Sequence, residues 1–296
     1  MDRLARATRF LRRRPRSDCR STRAPADVIR KNRVIRMMEI IFQDEDLVAV
    51  NKPSGIKVHR GAYDSRREKF VLQLVRDQVQ RHLYPVHRLD KPTSGVLVFA
   101  LNPGAARSLA KSFARRRVQK TYLAVVRGYI AEAGEVDYAL GEGGDSARAG
   151  KSPRRALTRF LRLDTAELPV PVGRYATGRY SLVRIVPATG RRHQIRRHMR
   201  HLRHPIINDR QYGDNKHNRF FDDHFGCRRL LLAATEIRFP HPRTRLETCL
   251  AARLDMEFDS ILHHMGWETG VPQGWRPPGK NLERVPPPHQ SREAKS

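Results

Sequence analysis

Short apolar runs, each the length of one strand, recur along the chain and constrain its fold more than any other feature. Residues 39–42 and 47–51 alternate apolar and polar side chains on either side of an acidic turn, which predicts a β-hairpin. Residues 96–101 form a continuous apolar run, the pattern of a strand buried on both faces. Further strands are predicted at 121–126, 157–163 and 180–186.

Helices are predicted between and after these strands. Residues 69–82, 191–202 and 255–265 have apolar positions at helical spacing. Asn102 is suited to cap a helix that begins at Pro103 and ends near residue 116. Because no βαβ alternation with a Gly-rich first turn is present, a doubly wound nucleotide-binding fold is disfavoured. The pattern predicts an α+β fold with a mixed, largely antiparallel sheet flanked by helices.

The net charge of the chain limits the classes of function that it fits. The chain has 59 Lys and Arg against 30 Asp and Glu, a net charge of +29. A protein this basic is normally held near a polyanion, so nucleic acid is favoured over a merely solvated, Arg-rich surface. Hydrophobic residues make up 39% of the chain, enough for a core, yet no stretch is long and apolar enough to span a membrane. Three widely spaced cysteines indicate no disulfide framework and fit a cytoplasmic protein.

Composition divides the chain into three parts. Residues 1–36 contain twelve Arg and one Lys against three Asp, a net charge of +10. This basic extension is read as a flexible RNA-contacting arm, a transit peptide or the product of a wrongly assigned start codon. A catalytic domain is predicted at 38–268, with a mobile Gly- and Arg-rich insert at 141–153, and a loose Pro-rich tail at 269–296.

One candidate catalytic residue is Asp90. It lies between Arg88 and Lys91 in a Pro- and Gly-containing loop, directly before the apolar run at 96–101. Adjacent cations favour an ionised carboxylate, which suits a nucleophile or a base. The alternative, which spacing alone favours, is an aspartate that caps a turn.

Two further segments carry candidate groups. On the strand at 121–126, Lys120, Tyr122 and Ala124 share a face, and a Tyr on a basic face can stack on a nucleobase for about 1–3 kcal/mol. The alternative is a core tyrosine. The predicted helix at 191–202 and its flanks are strongly basic, as expected of phosphate contacts, and one Arg could turn inward to a buried carboxylate. A metal site at the histidines of this segment is rejected because no acidic or thiol partner lies at ligand spacing. These histidines are His193, His198, His201 and His204.

Taken in order, four segments resemble the motifs of the RluA family of pseudouridine synthases. They are residues 51–55, residues 87–95, the pair Lys120 and Tyr122, and residues 190–196. The resemblance extends over about 39–268 and implies the pseudouridine synthase catalytic fold. It also implies an enzyme that isomerises uridine in RNA without cofactor or metal.

By this resemblance, Asp90, Tyr122 and Arg196 are the catalytic residues. Asp90 would attack C1′ of the ribose or remove the C2′ proton to give a glycal, and the sequence leaves both routes open. Arg196 would pair with the ionised Asp90, and Tyr122 would stack on the freed uracil and assist proton transfer at C5. The expected RNA-contacting residues are His87, Arg88, Lys120, Arg191, His193, Gln194 and Arg197.

Within the family, the chain most resembles the members that modify uridine 65 in the T-stem of tRNA. The supporting segments are 41–45, 57–60, 171–175, 196–198 and 204–221, with two departures: Asn208 replaces a usual Gly, and Tyr212 a frequent His. The expected partner is tRNA, bound by a monomer without membrane or nucleotide cofactor. The same chemistry on rRNA and a non-catalytic RNA-binding protein remain alternatives. A glycosidase is disfavoured because no second acidic residue lies in these motifs.

Overall fold

A computed structural model describes residues 37–61, 68–141 and 152–278. The predictions for the extension at 1–36, for most of the insert at 141–153 and for the end of the Pro-rich tail lie outside the described residues. The division into three parts therefore stays a prediction.

The described chain forms strands and five α-helices. The strands are β1 (Glu39–Gln43), β2 (Leu47–Lys52), β3 (Tyr84–Pro85), β4 (Ser94–Ala100), β5 (Gln119–Arg127), β6 (Ala133–Asp137), β7 (Leu157–Leu168), β8 (Gly178–Pro187), β9 (Leu232–Pro240) and β10 (Glu247–Ala251). The helices are α1 (Val71–Val79), α2 (Pro103–Ala114), α3 (Gln194–His201), α4 (Asn215–Phe225) and α5 (Met256–His264). Two 3₁₀ turns follow at Glu268–Gly270 and Gln273–Trp275.

The strands make one sheet in the order β1-β2-β4-β9-β5-β8-β7-β6, with β10 also paired to β9 and β3 to β4. The β4–β9 pair is parallel, and the other pairs among the described strands are antiparallel. The predicted α+β fold with a mixed, largely antiparallel sheet is confirmed. Among the described residues, no helix is both long and apolar enough to cross a lipid bilayer.

Helix α2 begins where its sequence predicts. Pro103 is its first residue, and the Asn102 side-chain oxygen accepts a hydrogen bond from the Ala105 amide at 2.8 Å. The predicted hairpin, helices and strands are also present, with shifted ends. Five strands and α-helices had not been predicted: β3, β6, β9, β10 and α4. The largest shift is in β7, which ends at Leu168 and not at residue 163. Helix α3 begins at Gln194 and not at Arg191, because His193 before it has a left-handed backbone (φ 53°).

Apolar side chains bury both faces of the sheet. On one face, Leu123 of β5 and Tyr180 of β8 pack with Phe221 of α4 and Phe258 of α5. On the other, apolar residues of β2, β4, β9 and β10 pack with Leu109 of α2. With helices on both faces, the sheet is shielded from water over its centre.

The packed core extends past residue 268, where the loose tail was predicted to begin. Val271 and Trp275 are buried in the cluster beneath α5, and the Leu254 amide donates to the Trp275 carbonyl at 2.7 Å. The prediction overlooked that one Val and one Trp can anchor a Pro-rich segment when they find a hydrophobic surface.

Gly95 permits the parallel contact between β4 and β9. Its φ is +112°, a conformation that side chains rarely adopt, and a Cβ atom there would lie 2.0 Å from the Ala234 carbonyl oxygen. The two backbones therefore touch directly, five residues after Asp90.

We expect Gly95→Ala to lower the free energy of unfolding by about 3–5 kcal/mol, because it adds both backbone strain and a clash with backbone atoms. Urea unfolding followed by circular dichroism measures the change. Gly274→Ala is the control, since a Cβ atom there meets nothing within 4 Å. A Gly95→Ala protein as stable as this control would contradict the close approach.

Candidate active site

The loop that carries Asp90 is held from below by the buried Lys52. The Lys52 ammonium donates to three carbonyl oxygens, those of Pro53 (2.9 Å), Lys91 (3.1 Å) and Thr93 (2.7 Å). Burial, with the charge of Arg229, lowers the pKa of Lys52 to about 7, while the charge of Asp90 works in the opposite direction. The segment at 51–55 thus clamps the segment at 87–95.

A buried arginine joins two carboxylates. The Arg196 Nε and Nη2 atoms donate to the two oxygens of Asp209 at 2.7 and 2.8 Å, and Nη1 contacts Asp90 Oδ2 at 3.4 Å. The bidentate bond fixes the plane of the guanidinium, so the remaining nitrogen points at Asp90. The inward-turned Arg predicted for this helix is therefore Arg196.

Asp209 is the partner that makes this burial possible. Its side chain is fully buried and also accepts from the amides of Gln211 and Tyr212, both at 3.0 Å. Burial acts to raise the pKa of Asp209, but the Arg196 guanidinium and the two amides outweigh it and hold the pKa below its ordinary value. Asp209 therefore stays charged beside Arg196.

His193 approaches Asp90 from the other side. Its Nε2 atom lies 3.9 Å from Asp90 Oδ1, and its Nδ1 atom lies 3.0 Å from the hydroxyl of Tyr212. The Tyr212 ring in turn lies beneath Arg196, with 5.0 Å between the guanidinium carbon and the ring centre. Burial lowers the pKa of His193 in spite of the nearby Asp90 charge, so the imidazole is neutral at physiological pH.

Tyr122 forms the apolar wall beside Asp90. It is buried on β5, and burial together with the Asp90 charge raises the pKa of its hydroxyl. The side chain is therefore a neutral phenol at physiological pH, suited to stacking and to donating a hydrogen bond. Burial also lowers the pKa of Lys120, two residues earlier on the strand.

Asp90, Tyr122, His193 and Arg196 line one pocket with a volume of about 260 Å³. It brings together eight of the ten residues predicted from sequence. They are Arg88, Asp90, Lys120, Tyr122, Arg191, His193, Gln194 and Arg196. A space of this size admits one nucleoside but no duplex.

The contacts of three predicted RNA-binding residues differ from that expectation. His87 lies outside the pocket lining, stacked on Phe113, and its Nε2 atom accepts from the Val98 amide at 3.0 Å. Gln194 lines the pocket, but its amide group is engaged by the protein at 2.7–3.0 Å on both ends. Arg197 lies outside the lining and donates to the Gly141 carbonyl. His87 and Gln194 hold the site together, and their polarity alone did not reveal which way they face.

Two members of the site had not been assigned a role from sequence. Asp209 is a lone carboxylate two residues after the buried Ile206 and Ile207, and this position was the available signal. Lys52 was recognised as part of a motif, but the three carbonyls that it binds are distant in sequence.

The described residues contain one group with the geometry of a metal site, and it lies in the β1–β2 turn. Asp44, Asp46 and His241 place one potential ligand atom each within 4.8 Å of one another. Their polar atoms are already bonded: His241 to Asp44 at 2.8 Å, and Asp46 to Asn102 at 2.8 Å and Arg243 at 2.6 Å. The group ties the turn to the β9–β10 connection and has no link to the pocket.

We expect Arg196→Met to lower the free energy of unfolding by about 3–5 kcal/mol, because Asp209 is left as an uncompensated buried charge. The double variant Arg196→Met, Asp209→Asn should lose less than the sum of the two single variants. Urea unfolding of all four proteins measures this coupling. Additive losses would mean that the two side chains do not stabilise each other.

Stability should also fall in acid through His87. Burial, aided by the charge of Lys120, lowers the pKa of His87 to about 3 from an ordinary value of 6.5. The unfolded chain therefore binds a proton that the folded protein does not, and stability is lost as the pH falls from about 6.5 towards 3.

Urea unfolding between pH 7 and 4 should show a shallower loss for His87→Gln, whose side-chain oxygen can still accept from Val98. The remaining slope belongs in part to other histidines with lowered pKa values, such as His198 and His217. A variant with the slope of the wild type would contradict a buried, neutral His87.

Comparison with known proteins places this geometry in a family. The family model described as RNA pseudouridylate synthase matches residues 46–201. A protein of Pectobacterium carotovorum named tRNA pseudouridine synthase C is 48% identical over 80% of this chain, which spans 64% of that protein's length. The protein of the same name from Yersinia pestis is 47% identical over 84% of this chain and 96% of its own length.

Comparison with a solved structure indicates the same family. The solved structure of human RNA pseudouridylate synthase domain containing 1 superposes with a TM-score of 0.58 and 27% identity, over 73% of this chain and 83% of that one. The family model, the sequence relatives and the solved structure agree: this chain belongs to the RNA pseudouridylate synthase family.

Proposed function

We propose that this protein isomerises uridine to pseudouridine in tRNA, at uridine 65 of the T-stem, with Asp90 as the catalytic carboxylate. The observation that carries the proposal is the contact between Asp90 and the buried Arg196 at the wall of a nucleoside-sized pocket. We further propose that the protein acts as a monomer in the cytoplasm.

The reaction needs a carboxylate and no external reagent. If Asp90 attacks C1′, the bond from C1′ to N1 breaks, and uracil leaves with the electron pair. The uracil then turns, C5 bonds to C1′ as the carboxylate departs, and N1 gains a proton as C5 loses one. If Asp90 instead removes the C2′ proton, the bond from C1′ to N1 breaks and leaves a glycal. C5 then bonds to C1′ as a proton returns to C2′, and C5 again loses its proton as N1 gains one. Both routes begin with an ionised carboxylate, which the neighbouring guanidinium of Arg196 stabilises.

Tyr122 is suited to hold the uracil while it turns. Its ring lines the pocket, and stacking on a base contributes about 1–3 kcal/mol. Because the pKa of Tyr122 is raised, its hydroxyl keeps its proton at neutral pH. We therefore assign it stacking and hydrogen-bond donation in the unbound enzyme, and not the role of a resident base.

The choice of tRNA rests on the relatives named above, which are called tRNA pseudouridine synthases. A uridine in a stem must leave its duplex to enter the pocket, at a cost of a few kcal/mol. The cations at the pocket rim, such as Arg88, Arg191 and Arg192, offer phosphate contacts that offset this cost.

We expect Asp90→Asn to abolish pseudouridine formation and leave tRNA affinity within about threefold, since the carboxylate acts on the ribose and not on phosphates. Tritium release from tRNA labelled with [5-³H]uridine measures the reaction, because the C5 proton is lost with each turnover. Asp77→Asn, at an exposed carboxylate paired with Arg76, is the control and should retain activity. Tritium release by Asp90→Asn at the wild-type rate would refute the assignment.

The same assay tests the target. A tRNA transcript with cytidine at position 65 should release no tritium from the wild-type protein. Tritium release from this transcript would mean that the target uridine lies at another position of tRNA. Release from rRNA alone would mean that rRNA is the substrate. Silence on both RNAs would support a non-catalytic RNA-binding protein.

A further inference from the structure

A basic groove outside the catalytic pocket runs along helix α2. It has a volume of about 630 Å³ and is bounded by α2, by the segment that follows it and by the β9–β10 connection. Five of its nine lining residues are cations, and none is acidic. The five are Arg107, Lys111, Arg115, Arg117 and Arg245.

Three of these cations form a stripe. Arg107, Lys111 and Arg115 are four residues apart, so they lie on one face of the helix and its last turn, and all three are exposed. The sequence around them is unusual, because residues 91–131 contain eight Lys and Arg and not one Asp or Glu. Stacking like charges on a helix face costs stability, and nothing in this segment offsets that cost.

The groove cations also lack carboxylate partners elsewhere. Within the part of the chain that the structure describes, no acidic side chain lies in ion-pair distance of the five, and the Arg245 side chain donates to the Ser108 hydroxyl at 2.7 Å. On other surfaces some exposed arginines are paired with carboxylates, as with Arg76 and Asp77 (2.9 Å), Arg159 and Glu135 (2.7 Å), and Arg179 and Glu167 (3.1 Å). The positive charge of the groove is therefore uncompensated by the protein.

The groove and the catalytic pocket lie on the same face of the sheet. Lys120, which lines the pocket, pairs across strands with Ile237, and Ile237 packs in the cluster beneath α2. Phe113 near the end of α2 stacks on His87, and the charge of Lys120 contributes to the lowered pKa of that histidine. Arg117 of the groove is three residues from Lys120, about 10 Å along an extended chain.

We propose that this groove binds the phosphate backbone of the RNA whose uridine occupies the catalytic pocket. The proposal rests on the proposed function and extends it to a second contact region. The stripe from Arg107 to Arg115 is about 12 Å long. Between three and four nucleotides of one strand take up this length along the axis of a duplex. The three cations are regularly spaced and would contact phosphates, not the edges of bases. They therefore recognise a polyanion by its charge and spacing, and not by its sequence.

The test removes the stripe and compares it with an equal loss of charge elsewhere. The variant Arg107→Gln, Lys111→Gln, Arg115→Gln changes only exposed side chains. The control, Arg76→Gln, Arg159→Gln, Arg179→Gln, removes three exposed cations that carboxylates already pair. Binding of full-length tRNA by the full chain is measured by fluorescence anisotropy from 50 to 300 mM KCl.

We expect the stripe variant to bind tRNA at least about tenfold more weakly at 150 mM salt, with the slope of log affinity against log salt reduced by about 2–3. The control should keep the wild-type slope. A stripe variant that binds like the wild type overturns the proposal, and so does an equal loss in both variants, which would be a general effect of net charge. Tritium release by the wild type is recorded in parallel. Its absence would count against the proposed function and would leave the groove to be judged by the binding data.

Discussion

The site depends on one buried guanidinium that is shared between two carboxylates. Taking Arg196 out of water is costly, and the cost is offset only because Asp209 accepts two of its hydrogen bonds and is itself held by backbone amides. This arrangement ties together three segments that are far apart in sequence: helix α3, the turn after Ile207 and the loop before β4. The position of Asp90 relative to the pocket follows from that junction.

Much of the fold could be predicted because local signals agree with the final structure. The hairpin alternation, the continuous apolar run of β4 and the Asn102 cap each act over a few residues. Strand β9 lacks a single period: Leu232–Thr235 is buried throughout, and Ile237 and Phe239 then alternate with polar residues. Helix α4 is mostly polar, with only His217 and Phe221 buried, so its sequence offers few apolar positions from which a helical spacing could be recognised.

Some residues of the candidate site could be predicted from the sequence, and others could not. Resemblance to a family selected Asp90, Tyr122 and Arg196, and the structure brings them into one pocket. It could not select Asp209, because the burial of a lone aspartate becomes visible only when its partner is known. The departure at Asn208 has a simple backbone reason: its φ is +61°, which Gly adopts freely and Asn tolerates.

The direct contact of backbones at Gly95 makes the start of β4 rigid. With no side chain between β4 and β9 at this point, no compressible layer lets the two strands shift against each other. The loop that carries Asp90 therefore joins the sheet at a fixed point, five residues from the carboxylate.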